Sequence, residues 1–307
     1  MPADVASTPH THAEAPSRRH AAVLAVAALA TLAAAPLAWQ APPASVAVAA
    51  TALVILGVPH GAIDHRVARP LLRPRLGRLW FPAFTLLYLG AAALVLWGWT
   101  VSAPASLAAF LLLSVLHFGT EDAEGRDPVE RLTRGGAPVA LAILFHPDRT
   151  ERFFAVLGGT PDLFAALQAA AWAWVPVAGF TLARMARDPA PCAAWVEAAA
   201  LVAAFAALPP VAAFAFYFLL VHSPRHVHEL ALRHAPDDPA RGWRWVVRRS
   251  VPLSLATAAV GLALFLALGG PFEERFLRTV FWGLAALTVP HMVLHVVDRR
   301  AGSPPLR

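Results

Sequence analysis

The chain is a succession of apolar runs, most of them long enough to cross a bilayer, joined by short polar links. A spanning helix needs about 20 apolar residues. Runs of that kind lie at roughly 21–39, 44–62, 81–100, 104–120, 164–183, 193–207, 210–227, 251–269 and 278–297. A shorter run at 136–146 reads either as a short span or as a helix packed inside a bundle. The count is nine or ten. In hydrocarbon every backbone polar group must find its partner inside the segment or in a closed sheet, so helices and barrels are the available solutions. Alternation of period two over many short segments is absent, which argues against a barrel. The expectation is an all-α, polytopic transmembrane helical bundle. Composition agrees: 58% of residues are hydrophobic and 14% charged, where soluble domains carry about 25% charge.

Residues 1–19 are polar and rich in Pro, Ser and Ala, and are expected to be a disordered cytoplasmic N-terminus. The run after them has the layout of a signal peptide as well as that of a first spanning helix. Residues 20–298 are expected to form one transmembrane domain, and 299–307 a cytoplasmic tail. The net charge of +6 comes from Arg alone, since the chain has no Lys. In a membrane protein this excess reports orientation rather than nucleic-acid binding. Five Arg lie in "HRVARPLLRPRLGR", and "RHAPDDPARGWRWVVRRS" and "DRRAGSPPLR" are also rich in Arg. The alternate links "QAPPA", "TVSAPA" and "ALPP" have none. With ten spans both termini are expected in the cytoplasm, in a plasma (inner) membrane. That parity holds only if 136–146 crosses or nearly crosses.

Apolar runs that end on histidine are the chain's second peculiarity: "LGVPHGAIDH", "SVLHFGTED", "FLLVHSPRHVHE" and "LTVPHMVLH". His60, His117 and His222 come near the cytoplasmic ends of their helices, and His291 lies deeper on the last one. Ionisable groups at such depths are costly and mark function. His222 and His226 are four residues apart, a spacing that lets one helix offer two ligands to one metal, although Pro224 is expected to bend that helix. With a lone Cys192, metal would have to be held by His and carboxylates. Imidazole suits Fe, Zn, Cu and Ni. A ligating imidazole usually donates its other N–H to a carboxylate or a carbonyl, and Asp64, Glu121, Asp122 and Glu229 follow the histidines closely. Gly61 and Gly119 permit close approach of a backbone or a ligand. His10, His12, His20, His146 and His234 read as ordinary polar residues. The aromatic clusters "FAFYFLL", "WFPAF" and "LWGW" read as core or lipid-facing rings, or as lining for a long apolar substrate.

"GVPHGAIDH", "LHFGTED", "HSPRHVHE" and "VPHMVLH", in this order on membrane helices, resemble the bacteriorhodopsin-related protein family (Brp/Blh), the integral-membrane beta-carotene dioxygenases of bacteria and archaea. The resemblance covers roughly residues 50–297. It implies a non-heme Fe(2+) centre held by four histidines, O2 as co-substrate, and central cleavage of beta-carotene to two retinals, with supply of retinal to a rhodopsin as a possible onward use. Carried over motif by motif, it makes His60, His117, His222 and His226 the ligands. His291 is then expected to line the cavity near the metal without ligating it, and His295 to be a structural hydrogen-bonding residue. Two rivals use the same histidines: a membrane di-iron hydroxylase or desaturase, which needs about twice as many, and a divalent-metal transporter, for which no paired halves are visible. A retinal photoreceptor with a Schiff-base lysine is excluded by the absence of Lys.

Overall fold

The computed structural model describes residues 18–40, 42–123, 127–188 and 191–306. All but the last two residues of the expected polar N-terminus, 18 and 19, lie outside them. Among the described residues there is no strand, and the elements are helical throughout. They are α1 (Arg18–Gln40), α2 (Pro42–Ala52), α3 (Val58–Gly61), α4 (Asp64–Leu76), α5 (Trp80–Val101), α6 (Ala103–Asp122), α7 (Pro128–Phe145), α8 (Pro147–Val156), α9 (Pro161–Arg187), α10 (Cys192–Ala207), α11 (Pro210–Tyr217), α12 (Ser223–His234), α13 (Pro239–Ala267) and α14 (Phe272–Arg300). Each expected run falls on helix. Among the described residues six stretches are long and apolar enough to span a membrane; one, Ala44–Val101, contains two of the expected runs. The chain is a membrane protein of helical-bundle type. Large apolar side chains cover its outside, among them Leu86 and Leu87 of α5 and Leu255, Val260 and Leu266 of α13.

The run at 136–146 belongs to α7, whose segment from Gly135 to Ile143 is buried except for Val139. It packs inside the bundle, between α6 and α9, and at 18 residues α7 is compatible with a crossing as well as with an interior position. Glycine makes the approach of α6 and α7 possible. A Cβ on Gly135 would lie 2.0 Å from the Val115 carbonyl, and one on Gly119 would lie 2.3 Å from the Arg131 carbonyl. Gly242 does the same for α12 and α13, at 2.3 Å from the Ala231 carbonyl. Small residues at such crossings are how membrane helices gain dispersion contact.

Two helical rods carry a wider turn just ahead of a histidine motif. α2 passes into α3 through a π-turn at Leu53–Gly57, and α11 into α12 through another at Phe218–His222. Each π-turn ends two residues before a proline, Pro59 and Pro224. Proline has no N–H to give and its ring crowds the carbonyl four residues back. A turn with i→i+5 bonds relieves that crowding, and the Ser223 N–H accordingly reaches the Phe218 carbonyl. The expected bend at Pro224 is therefore a local widening of the helix. Pro290 sits inside α14 without breaking it.

The larger apolar core gathers Leu24, Leu53, Leu107, Ile143, Phe205, Tyr217 and Phe281. A smaller one gathers Ile63, Val67, Val227, Leu230, Val246 and Leu306. Two histidine-bearing segments run from the first cluster to the second: Leu53 to Ile63 and Val221 to Val227. The histidines on them lie at the junction.

Candidate metal centre

Six imidazoles from four segments meet there, all buried: His60 on α3, His117 on α6, His222 at the end of its π-turn, His226 on α12, and His291 and His295 on α14. His60 is the hub. Its ring centroid is 4.3 Å from His226, 5.0 Å from His222 and 5.2 Å from His291. His117 is 5.0 Å from His222 and 5.4 Å from His291. The donor atoms of His60, His117 and His222 lie within 4.8 Å of one another, and so do those of His60, His226 and His291.

Carboxylates orient two of these rings. His222 Nδ1–H donates to Asp122 at 3.1 Å, and Asp122 also accepts from the Tyr217 hydroxyl at 2.5 Å. His291 Nδ1–H donates to both oxygens of Asp64 at 2.9 Å, and Asp64 accepts from the Tyr88 hydroxyl at 2.9 Å. A proton held at Nδ1 leaves the Nε2 lone pair free. Asp64 stands in the first turn of α4, where the helix dipole favours its negative charge.

The donor set fits a metal. His222 Nε2, His291 Nε2, His60 Nδ1 and both nitrogens of His226 are buried with no hydrogen-bond partner. Buried polar atoms are rarely left so. A cation shared among these rings can take one nitrogen from each, His226 through Nε2, since its Nδ1 faces Glu121. His60, His117 and His291 also face a cavity of about 150 Å³, walled by Phe110, Phe118, Phe214, Phe218 and Leu284. Its outer wall includes Leu89, which is 56% exposed, so the cavity reaches the apolar surface of the bundle. Two phenylalanines of "FAFYFLL" thus line the cavity, whereas Trp97 of "LWGW" faces outward.

The expected carboxylates are all close to the cluster, but Asp64 and Asp122 serve histidines distant in sequence. Asp64 pairs with His291, not His60, and Asp122 with His222, not His117. Glu121 lies 3.6 Å from His226 Nδ1 and is ion-paired with Arg299. Glu229 is on the exposed side of α12, although its carboxylate reaches the neighbourhood of Glu121 and His226. His295 stands 3.6 Å from Asp64 and 4.7 Å (ring to ring) from His226. Gly119 allows close approach as expected, whereas a Cβ on Gly61 would make only ordinary contact, 3.9 Å from His291. His234 stacks on Trp245 at 4.1 Å, and His146 lies beside Trp39.

Sequence reasoning passed over Tyr88 and Tyr217. They are the only two tyrosines in the chain, and each donates to one of the two orienting aspartates. It also passed over Glu197, buried on α10, which binds Arg134 at 2.9 Å and contacts Arg225; Arg225 stands 3.8 Å from Asp122. A glutamate within an Ala-rich apolar helix was the available signal.

The chain resembles proteins of known name along most of its length. A protein named beta-carotene 15,15'-dioxygenase from an uncultured marine bacterium (66A03) is 29% identical over 256 residues, 79% of this chain and 90% of the relative. A probable beta-carotene 15,15'-dioxygenase, Blh, of Halobacterium salinarum is 28% identical over 287 residues, 81% of this chain and 83% of the relative. No solved structure matches. The profile of the beta-carotene 15,15'-dioxygenase family covers residues 51–297, from the first π-turn rod to the last turn of α14, and the chain belongs to that family.

Proposed function

We propose that the protein cleaves the central 15,15' double bond of beta-carotene, or of a similar carotenoid, with O2 to give two molecules of retinal. The observation that carries this reading is the set of buried, partnerless imidazole nitrogens at an apolar cavity that reaches the outer surface of a membrane bundle. Fe(2+) held by His60, His117, His222 and His226 is the proposed cofactor. When bound, it supplies the activation of dioxygen that a polyene by itself lacks.

The chain's own residues bind, orient and exclude. Phe110, Phe118, Phe214 and Phe218 offer flat apolar faces to a polyene, and most of the cavity surface is apolar. Asp122 fixes His222 so that its Nε2 is presented in one tautomer. The overall reaction needs no general acid or base: one C=C bond and O2 become two C=O bonds. A rival reading, a di-metal hydroxylase or desaturase, requires two separate centres. The two histidine triplets here overlap on His60, which favours one. The proposed setting is the plasma membrane, with both termini cytoplasmic, substrate drawn from the lipid, and retinal available to a rhodopsin.

Expression in carotene-producing cells tests the reaction: orange colour is lost and retinal appears. His60→Ala, His117→Ala, His222→Ala and His226→Ala are each expected to abolish bound iron and cleavage while the protein still inserts. Normal iron and turnover in any two of them would sink the assignment.

A further inference from the structure

We infer that His291 is itself a metal ligand, through Nε2, and that Asp64 is the residue that aims it. The inference deepens the metal-centre reading above and rests on it.

The contact between Asp64 and His291 decides which nitrogen is available. Both carboxylate oxygens lie 2.9 Å from Nδ1, so the imidazole proton is held there and Nε2 carries the free lone pair. That Nε2 is buried and has no hydrogen-bond partner. An acceptor in this position carries a desolvation cost that only a donor or a cation removes. If His291 served to satisfy a carbonyl freed by Pro290, Nδ1 or Nε2 would face backbone; neither does.

Position points the same way. The His291 ring lies 5.2 Å from His60, 5.4 Å from His117 and 5.2 Å from His226. It therefore touches three of the four histidines proposed as ligands. Its donor atom lies within 4.8 Å of those of both His60 and His226. With His60 and His117 it also faces the cavity.

The construction is duplicated. Tyr217, Asp122 and His222 form one hydroxyl–carboxylate–imidazole chain, and Tyr88, Asp64 and His291 form another, built from different helices. A carboxylate behind a ligating imidazole is the usual supporting arrangement at metal sites. The charge balance of the second chain is less complete than that of the first. Asp122 has Arg225 at 3.8 Å. Among the described ion pairs, Asp64 meets only His291 and His295. A buried carboxylate needs a compensating charge, and a divalent ion on the far side of His291 provides it.

The test is metal binding, read without turnover. The full chain in nanodiscs is stripped of metal and titrated with Fe(2+) and with Co(2+), following bound metal per chain and the Co(2+) visible spectrum. His291→Ala is expected to weaken binding at least 100-fold and to change the spectrum, and His291→Gly to regain binding when free imidazole is added. Asp64→Asn is expected to weaken binding 10–100-fold. If His291→Ala does not insert, His291→Asn is titrated in its place. Wild-type stoichiometry, affinity and spectrum at position 291, with metal lost from His60→Ala, would overturn the role of His291 and leave the metal centre standing. Full metal in His60→Ala as well would overturn the metal centre itself, and the inference with it.

Discussion

A histidine's capacity to hold a metal depends on what its other nitrogen does. His222 is fixed by Asp122, which Tyr217 steadies in turn. Asp122→Asn replaces a charged acceptor with a neutral one and permits the wrong tautomer. It is expected to cost about 10–100-fold in metal affinity or activity, measured by metal titration and by retinal formed. Tyr217→Phe removes one donor and should cost less. His234→Ala and His146→Ala lie outside the cluster and should leave metal content unchanged. The histidines that gather at the centre were readable from the chain, because histidines ending apolar runs are costly without a task. Their partners were not. Asp64 follows His60 by four residues, yet the helix breaks after Gly61 and delivers Asp64 to a ring 227 positions away. Asp122 follows His117 by five residues, which turns it about 140° around α6 and toward His222, 100 positions on.

Helices hold these residues in register through features that are small in sequence. The π-turns before Val58 and Ser223 set the rotation at which His60, His222 and His226 face the centre. Pro59 and Pro224 hinted at irregular turns but not at their kind, since a proline can also kink a helix or end it. The α6–α7 crossing is equally specific. Gly135→Ala places a methyl 2.0 Å from the Val115 carbonyl, two residues before His117. The backbones must part, at a cost of about 1–3 kcal/mol, and α6 carries His117 away with it. The expected result is a lower unfolding temperature in detergent together with weaker metal binding. Gly90→Ala, whose Cβ would meet nothing within 4 Å, is the matched substitution and should change neither. The pairing of α6 with α7 was not legible, because a stretch such as "RGGAPVALAILF" shows that a helix can pack closely but not against which neighbour.

At the scale of the whole molecule, the class was plain from the apolar runs, and the doubtful run packs inside the bundle because its glycines and alanines suit burial between neighbours. The remaining feature is the cavity, which reaches the apolar outer surface at Leu89. A substrate taken up there is never dilute in water; it is a solute in a thin film of lipid. The quantity that governs occupancy is then moles of carotenoid per mole of phospholipid, and molarity in the vessel is irrelevant to it. Adding empty liposomes that fuse with the enzyme's membranes, at constant total carotene and constant volume, is expected to slow retinal formation in proportion to the lipid added while substrate is subsaturating. Assays by absorbance at several lipid ratios check this. A rate that follows bulk concentration instead would mean that the substrate arrives through water. Two preparations with the same apparent Michaelis constant in micromolar units can accordingly differ severalfold in true affinity, and variants are comparable only at matched lipid.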